Sequence, residues 1–477
     1  MRSWERKSLA DRWSGEIPET SPRYPFVDAV VRGVSFHFAY FVRFVGPSAV
    51  SRMMRVACWQ ALPTLESEIL PALNWLIGVG AQLNSRPKAG IIRFEHVTTN
   101  ISSNPPPQFL WLKTGNNSFD EMLRAINSAR NSVRLEMYIF GASAIGGLFR
   151  EALCHAAERG VEVKVLVDAW GSVTLSDAFW EPLRRAGGVA RWFNPISLDR
   201  YSIRNHRKLL VCDDDLGFVG GFNVATEYLG DGVREGWRDC GVSLRGPLAR
   251  ELAASFDTMF ALADFTHKRF VRFRRSPLRR IIPTPEGELL LTGPGRGPNL
   301  LKRALLRDLR KATSVRILSA YFVPTRGIRR ELIRAARRGC KVQLILAGKS
   351  DVPLMQSASC RFYPSYLNAG IEIYEYLPQI LHAKLIVVDE VVYVGSANLD
   401  PRSFYINYEL VLRLPNPGLA GEAVATFVHD LSLCRKIDSR TWRESRTFWS
   451  ELKARWAYFL VARVDPFIAR RQLRHLR

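Results

Sequence analysis

The stretch Asn205–Asn223 reads NHRKLLVCDDDLGFVGGFN, and Leu381–Asn398 reads LHAKLIVVDEVVYVGSAN. Each copy has a histidine and a lysine two positions apart, an apolar run, an acidic turn, then small residues and an asparagine. The histidines, His206 and His382, are 176 residues apart. On an extended strand residues i and i+2 point to one face, so His206 and Lys208 project together, as do His382 and Lys384. The runs LLVC and LIVV bury the strand, and Asp213-Asp214-Asp215 and Asp389-Glu390 supply a turn that sends the chain back antiparallel. Folding about that turn puts Gly220 and Gly221 near Lys208 and His206, with Asn223 alongside. In the second copy Gly395 and Ser396 fall near Lys384, with Asn398 beside the start of the strand. Small residues there are expected to leave room for a substrate group, and the Asn amides to donate to its oxygens.

The repetition extends outward from these hairpins. Ser132-Val133-Arg134 matches Ser314-Val315-Arg316, and Tyr138 is echoed by Tyr321. Arg159-Gly160 before VEVKVLV matches Arg338-Gly339 before CKVQLIL, and Ala186-Gly187 matches Ala369-Gly370. The offsets, 182, 179 and 183 residues, are close to constant, so the chain reads as a duplicated α/β lobe. In the first lobe the spacing predicts a helix over Ser118–Ala129 opening at a Ser cap, a strand over Val133–Phe140, a helix over Gly147–Arg159 and a strand over Val161–Val167. Strands rich in Val, Ile and Leu suit a sheet covered on both faces. The expected division is an N-terminal basic, aromatic, helical region (1–106), lobe one (107–275), a Pro-, Gly- and Arg-rich linker (276–298), lobe two (299–435) and a basic aromatic helical tail (436–477).

With 477 residues and 47% hydrophobic content, the chain can bury a large core. Its 68 Lys and Arg against 45 Asp and Glu give a net charge of +23, which favours a polyanionic partner, either nucleic acid or an anionic membrane. Seven cysteines with no CxxC pair point to a reducing compartment and away from zinc. The first thirty residues lack the apolar core of a secretory signal. Phe36–Val45 carries Arg43, and Ile69–Leu83 is short of the ~20 apolar residues of a spanning helix, so both read as interfacial or packed helices.

Two imidazoles, two ammoniums and two amides suit a phosphoryl group. The cations neutralise its oxygens, one histidine attacks phosphorus and the other protonates the leaving oxygen, an inventory that requires no metal and no cofactor. A histidine in such a role is usually held in one tautomer by a carboxylate. Asp239 in GWRDCGVSL and Glu409 in INYELVLRL are the candidates, assigned to His206 and His382 respectively. For Asp213 and Asp389 the place in the turn points to holding the hairpin together.

Both stretches resemble the HxKxxxxD signature of the phospholipase D superfamily, followed by GGFN in one copy and GSAN in the other. Within that superfamily, NHRKLLVCD with WRD, and LHAKLIVVD with GSANLDPRSFYINYE, look like bacterial cardiolipin synthases. The resemblance spans Gln108–Lys436. It implies mixed sheets flanked by helices in two lobes, an active site between them, and metal-independent transfer of a phosphatidyl group to phosphatidylglycerol through a phosphohistidine. It also implies His206 as nucleophile and His382 as acid and base. His206, Lys208, Asp213, His382, Lys384 and Asp389 then form the candidate catalytic set, supported by Asn223, Ser396, Asn398, Asp239 and Glu409. Many members open with two membrane helices, whereas this chain resembles a shorter subgroup, peripheral at the cytoplasmic face of the inner membrane.

The tail Thr441–Arg477 combines Trp442, Trp449, Trp456, Tyr458 and Phe459 with arginines, which suits either a headgroup boundary or an arm packed on the lobes. Rival outcomes are hydrolysis of phospholipid, or of nucleic acid as the less favoured substrate, and a non-catalytic membrane-binding protein, against which the two intact motifs argue. Anionic membrane and phospholipids are the expected partners; the donor lipid and the oligomeric state stay open.

Overall fold

The computed structural model describes residues 108–195, 202–263, 278–294 and 298–469. All of them belong to one compact unit, Asn74–Arg477. The segments Phe36–Val45 and Ile69–Leu83 lie outside the described residues.

Lobe one is a seven-stranded sheet: β1 (Phe109–Leu112), β2 (Ser132–Met137), β3 (Glu162–Asp168), β4 (Val189–Phe193), β5 (Leu209–Cys212), β6 (Leu216–Gly220) and β7 (Gly241–Arg245), in spatial order β1-β7-β6-β5-β2-β3-β4. Lobe two is a nine-stranded sheet. Its strands are β8 (Arg280–Thr284), β9 (Gly287–Thr292), β10 (Ser314–Ser319), β11 (Lys341–Ala347), β12 (Glu372–Tyr376), β13 (Lys384–Val388), β14 (Val391–Gly395), β15 (Glu409–Pro415) and β16 (Cys434–Lys436). Their order is β16-β12-β11-β10-β13-β14-β15-β9-β8. With the edge strands β8 and β16 set aside, the two orders are the same. In each sheet three strands run parallel and the motif hairpin adds to them antiparallel, through β2–β5 in one and β10–β13 in the other.

The stretch expected as a linker is partly built into the second sheet. The hairpin β8–β9 pairs with β15, as β1 pairs with β7 in lobe one. The first predicted helix starts earlier than its cap residue suggested. It spans Gly115–Ser128 under Thr114, whose side chain accepts from the Asn117 N–H, while the Ser118 hydroxyl bonds back to the Thr114 carbonyl.

One core cluster joins both lobes, bringing Val219, Val242 and Leu252 together with Val392, Val394 and Leu412. Two more fill the outer faces, around Phe119, Phe149 and Leu153 in lobe one and Leu305, Ile328 and Leu332 in lobe two. The lobes are therefore fused through a continuous apolar interior. The helix Pro417–Ser432 of lobe two reaches lobe one, where the Trp111 indole donates to the Thr426 hydroxyl at 2.9 Å.

The motif aspartates anchor the hairpins. Asp213 accepts from the backbone N–H groups of Arg130, Asn131 and Ser132, and Asp389 accepts from Thr313 and Ser314. Both have positive φ, 54° and 51°, which a turn demands and most side chains resist. Their N–H groups bond to the Ser132 and Ser314 carbonyls, locking each turn to the start of a central strand. Asp213 is five residues from Lys208, about 16 Å along an extended strand. The two aspartates grouped with the catalytic set by the motif thus lie at the far ends of their strands, engaged with backbone.

Asp213→Ala removes the acceptor of three N–H groups and leaves alanine in a left-handed conformation, so it should cost about 2–3 kcal/mol. Asp213→Asn, which tolerates that conformation better, should lose less. Equal thermal unfolding of both variants and the native chain would contradict the anchoring role.

Candidate active site

His206 and His382 stand just before or at the start of their strands, and each is pinned by backbone bonds to the other lobe. The His206 N–H donates to the Tyr408 carbonyl at 3.0 Å, and the Tyr408 N–H to the Arg204 carbonyl at 2.9 Å. In the mirrored arrangement His382 N–H donates to the Arg238 carbonyl, and Arg238 N–H to the Ile380 carbonyl, both at 2.8 Å. The residues after Tyr408 and Arg238 are Glu409 and Asp239. Each carboxylate is thereby delivered to the histidine of the opposite lobe.

The side chains follow. His206 Nδ1 lies 3.0 Å from Glu409 Oε2, and His382 Nδ1 lies 2.6 Å from Asp239 Oδ2. This corrects the assignment made from sequence: Glu409 holds His206 and Asp239 holds His382. Proximity in the chain suggested same-lobe pairs, and the inter-lobe bridges reverse it.

The small residues also have another use. A Cβ at Gly221 would sit 2.2 Å from the Asp239 carboxylate, and one at Gly395 would sit 2.2 Å from the Leu410 carbonyl. Ser396, equivalent to Gly221, donates to Glu409 Oε2 at 2.6 Å, and Ser403 donates to Oε1 at 2.8 Å. Gly221, Ser396 and Ser403 make room for, or bond to, the carboxylates, and Gly395 makes room for the Leu410 backbone. Asn223 is committed as well: its Oδ1 accepts from the Ile139 N–H and its Nδ2 donates to the Tyr228 hydroxyl at 2.6 Å. The Asn398 Oδ1 is buried with no hydrogen-bond partner among the described residues, and its backbone N–H donates to Ser403.

Both lysines are almost completely buried, Lys208 at 2% and Lys384 at 5% exposure. Each ammonium donates to the carbonyl of its own motif histidine, and among the described residues neither forms an ion pair with a carboxylate. Burial and the neighbouring Lys384 push the Lys208 ammonium down to about 7. Lys384 is also depressed, chiefly by burial. The Lys384 ammonium also lies 2.7 Å from His382 Nδ1, and the two buried ammoniums beside two imidazoles gather N–H donors suited to the oxygens of an anion.

The two histidine pairs differ electrically. Burial works to raise the Glu409 carboxyl, but His206, Lys208 and the Ser396 hydroxyl outweigh it and hold it below the usual range. At Asp239 burial wins over Lys384 and the Cys240 N–H, raising the carboxyl to about 6. Both imidazoles are depressed, mainly by burial; His382 falls far below its ordinary value, with the two lysines adding to the effect.

Several wall residues carry no motif. The Tyr138 ring meets the His206 edge at 4.8 Å, and Tyr228 and Trp237 flank His382 at 5.2 and 5.5 Å. The Tyr228 hydroxyl is 3.3 Å from His382 Nε2. Tyr321, the counterpart of Tyr138, donates to Asp351, whose other oxygen is buried without a partner. Behind the site, Glu136 pairs with Arg207, Asp168 with Arg204 and Asp430 with Arg238, which stiffens both motif entrances. The Tyr138–Tyr321 echo was visible in the repeat; Tyr228, in the short 3-10 helix Thr226–Tyr228, and Trp237 lie where the two copies differ in length.

Two lobes of one fold, each giving a histidine and a lysine to a shared pocket, define a phospholipase D-like protein. A solved phosphatidylserine synthase from Haemophilus influenzae has the same fold, with a TM-score of 0.59 over 76% of this chain and 95% of that one, at 15% identity. The family described as cardiolipin synthase, PLD-like domain, matches residues 122–260 and 305–431, and the chain belongs to that family. Cardiolipin synthase 1 of Bacillus cereus is 34% identical over 63% of this chain and 62% of its own length, so the match spans less than two thirds of that relative. The major cardiolipin synthase ClsA of Bacillus subtilis is 32% identical over 71% of this chain and 72% of its own.

The crossed pairing has a signature independent of turnover. In histidine-labelled protein, Glu409→Gln should lower the pKa of His206 further, since a stabilising carboxylate is lost, and leave the His382 resonances nearly in place. Asp239→Asn should shift the His382 resonances. The reverse pattern in NMR titrations would contradict the pairing.

Proposed function

We propose that the protein is a phosphatidyltransferase that forms cardiolipin from phosphatidylglycerol and a phospholipid donor. The observation that carries the reading is the pair of buried ammoniums without carboxylate partners, set beside two imidazoles anchored at Nδ1. A lipid phosphodiester accepts from the ammoniums, and the Nε2 atoms of His206 and of His382, the latter shared with the Tyr228 hydroxyl and Lys384, supply the chemistry on it.

In the first step the His206 Nε2 lone pair attacks phosphorus. The bond from phosphorus to the headgroup oxygen breaks, and that oxygen takes a proton from His382 Nε2. In the second step a hydroxyl of the acceptor phosphatidylglycerol returns a proton to His382 and attacks phosphorus. The phosphorus–nitrogen bond breaks, and neutral His206 is restored. The electrostatics support this division of roles. The ionised Glu409 beside His206 stabilises the positive imidazole created by phosphorylation, whereas Asp239 near 6 and the strongly depressed His382 form a pair that exchanges a proton readily. Bound phosphate offsets the two ammoniums and makes protonation of His382 easier. Asp213 and Asp389 hold the hairpins, and Asn223, Ser396, Asp239 and Glu409 position the catalytic groups. Asn398, with an unsatisfied oxygen, is left to meet an acceptor hydroxyl. The net charge of +23 fits a peripheral position at the anionic cytoplasmic face of a bacterial inner membrane.

Purified full-length protein incubated with phosphatidylglycerol vesicles in EDTA should yield cardiolipin and free glycerol. Phosphatidic acid as the main product would make it a hydrolase, and unchanged lipid with cleaved DNA would defeat the lipid reading. His206→Ala and His382→Ala should each abolish turnover while remaining folded by circular dichroism; a near-normal rate in either would refute the two-histidine scheme.

Because the Lys208 ammonium titrates near 7, its charge is present below that pH and lost above it. KM should therefore rise as pH increases through 7 and beyond. Lys208→Met should lower kcat/KM by about 10²–10³ and remove that rise. A KM profile of the same shape in the variant would show that another group sets it.

A further inference from the structure

The helix Phe448–Phe459 and its continuation to Ala469 pack in an inverted sense. Its buried face is mostly small, with Ala454, Ala457, Val461 and Ala469 beside Asp465 and Pro466, and it lies against the body beside the helix Pro353–Cys360. Tyr458 packs inward on Phe362, but the other large aromatics face outward: Phe448 is 74% exposed, Trp449 69%, Trp456 44%, Phe459 48% and Phe467 54%. A helix held only by packing would present these faces the other way round, because large apolar side chains gain most from burial. Exposed arginines accompany the aromatic stripe, Arg455 and Arg463 among them, and residues 435–477 hold twelve Lys and Arg against four Asp and Glu.

We propose that this outward face seats the enzyme on an anionic phospholipid bilayer. The indole and phenyl rings enter the headgroup boundary, and the arginines meet lipid phosphates. The proposal rests on the phosphatidyltransferase reading for its choice of partner, since the substrate itself is an anionic bilayer lipid. The segment is also tied to the active-site wall. Asp465, nearly fully buried, pairs with Arg402 at 2.8 Å, and Arg402 donates to the Ser202 carbonyl of lobe one. The neighbouring Ser403 holds Glu409, the partner of His206. At the other end of the contact, the helix Pro353–Cys360 begins two residues after Asp351, which bonds to Tyr321. The bilayer-facing stripe is thus fastened to the same wall that positions the catalytic groups.

The test uses the full-length protein and sedimentation with vesicles. The native chain should bind phosphatidylglycerol vesicles more tightly than phosphatidylcholine vesicles, and binding should weaken with added salt. Trp449→Ala, Trp456→Ala and Phe459→Ala combined should weaken binding by about tenfold or more, and Arg455→Glu with Arg463→Glu should do likewise. Binding of both variants within about twofold of the native chain would overturn the proposal. So would a native chain that self-associates through this face, becoming monomeric in the aromatic variant while still binding vesicles. Cardiolipin formation is followed separately: a native chain that binds but makes none defeats the phosphatidyltransferase reading alone, and undiminished variant binding beside active turnover defeats the docking surface alone.

Discussion

Two short backbone bridges between the lobes govern the site. Each joins the residue at a motif histidine to the residue just before a carboxylate in the other lobe, through Tyr408 and Arg238. Hydrogen bonds of this kind allow little freedom of register, so the carboxylate next in sequence can reach only the facing histidine. The crossed pairs His206–Glu409 and His382–Asp239 follow from that geometry. Neither lobe alone holds a complete histidine–carboxylate pair, which gives the duplication a chemical purpose beyond doubling the residues.

Burial then makes these pairs matter. Lys208, Lys384, Glu409 and Asp239 are all at most 5% exposed, and an uncompensated ion there costs several kcal/mol. The carboxylates are compensated by imidazoles, hydroxyls and backbone N–H groups. The ammoniums bond to carbonyl oxygens, and Lys384 also to the His382 ring. The formal charges balance, so a phosphodiester adds one negative charge that protonation of a motif histidine offsets. The ion pairs behind the site, Glu136–Arg207, Asp168–Arg204 and Arg238–Asp430, keep the entrances fixed while that charge comes and goes.

Much of this was legible in the residues. The duplicated lobe followed from the repeat, because strand period and spacing are local properties, and the strand order of the two sheets matches in the same way. The hairpin role of Asp213 and Asp389 followed from turn chemistry. The carboxylate pairing was not legible, since it is set by contacts some 200 and 140 residues apart that no local period encodes. Gly221 was misread for a related reason: smallness announces a close approach without saying to what, and here it is Asp239. Tyr228 and Trp237 were missed because the segment Asn223–Arg238 differs in length and residue type from its counterpart Asn398–Tyr408. The tail stood between two readings and divides between them: Trp442 and Tyr458 pack on the body, while Trp449, Trp456 and Phe459 face outward.

The central claim is that crossed carboxylates give the two histidines different tasks. Acid-stable or rapidly neutralised quenching of a single turnover with labelled phosphatidyl donor, followed by peptide mass spectrometry, tests it most directly. The account predicts a phosphatidyl group on the peptide containing His206. A label on the His382 peptide, or turnover with no covalent adduct on either, would contradict it.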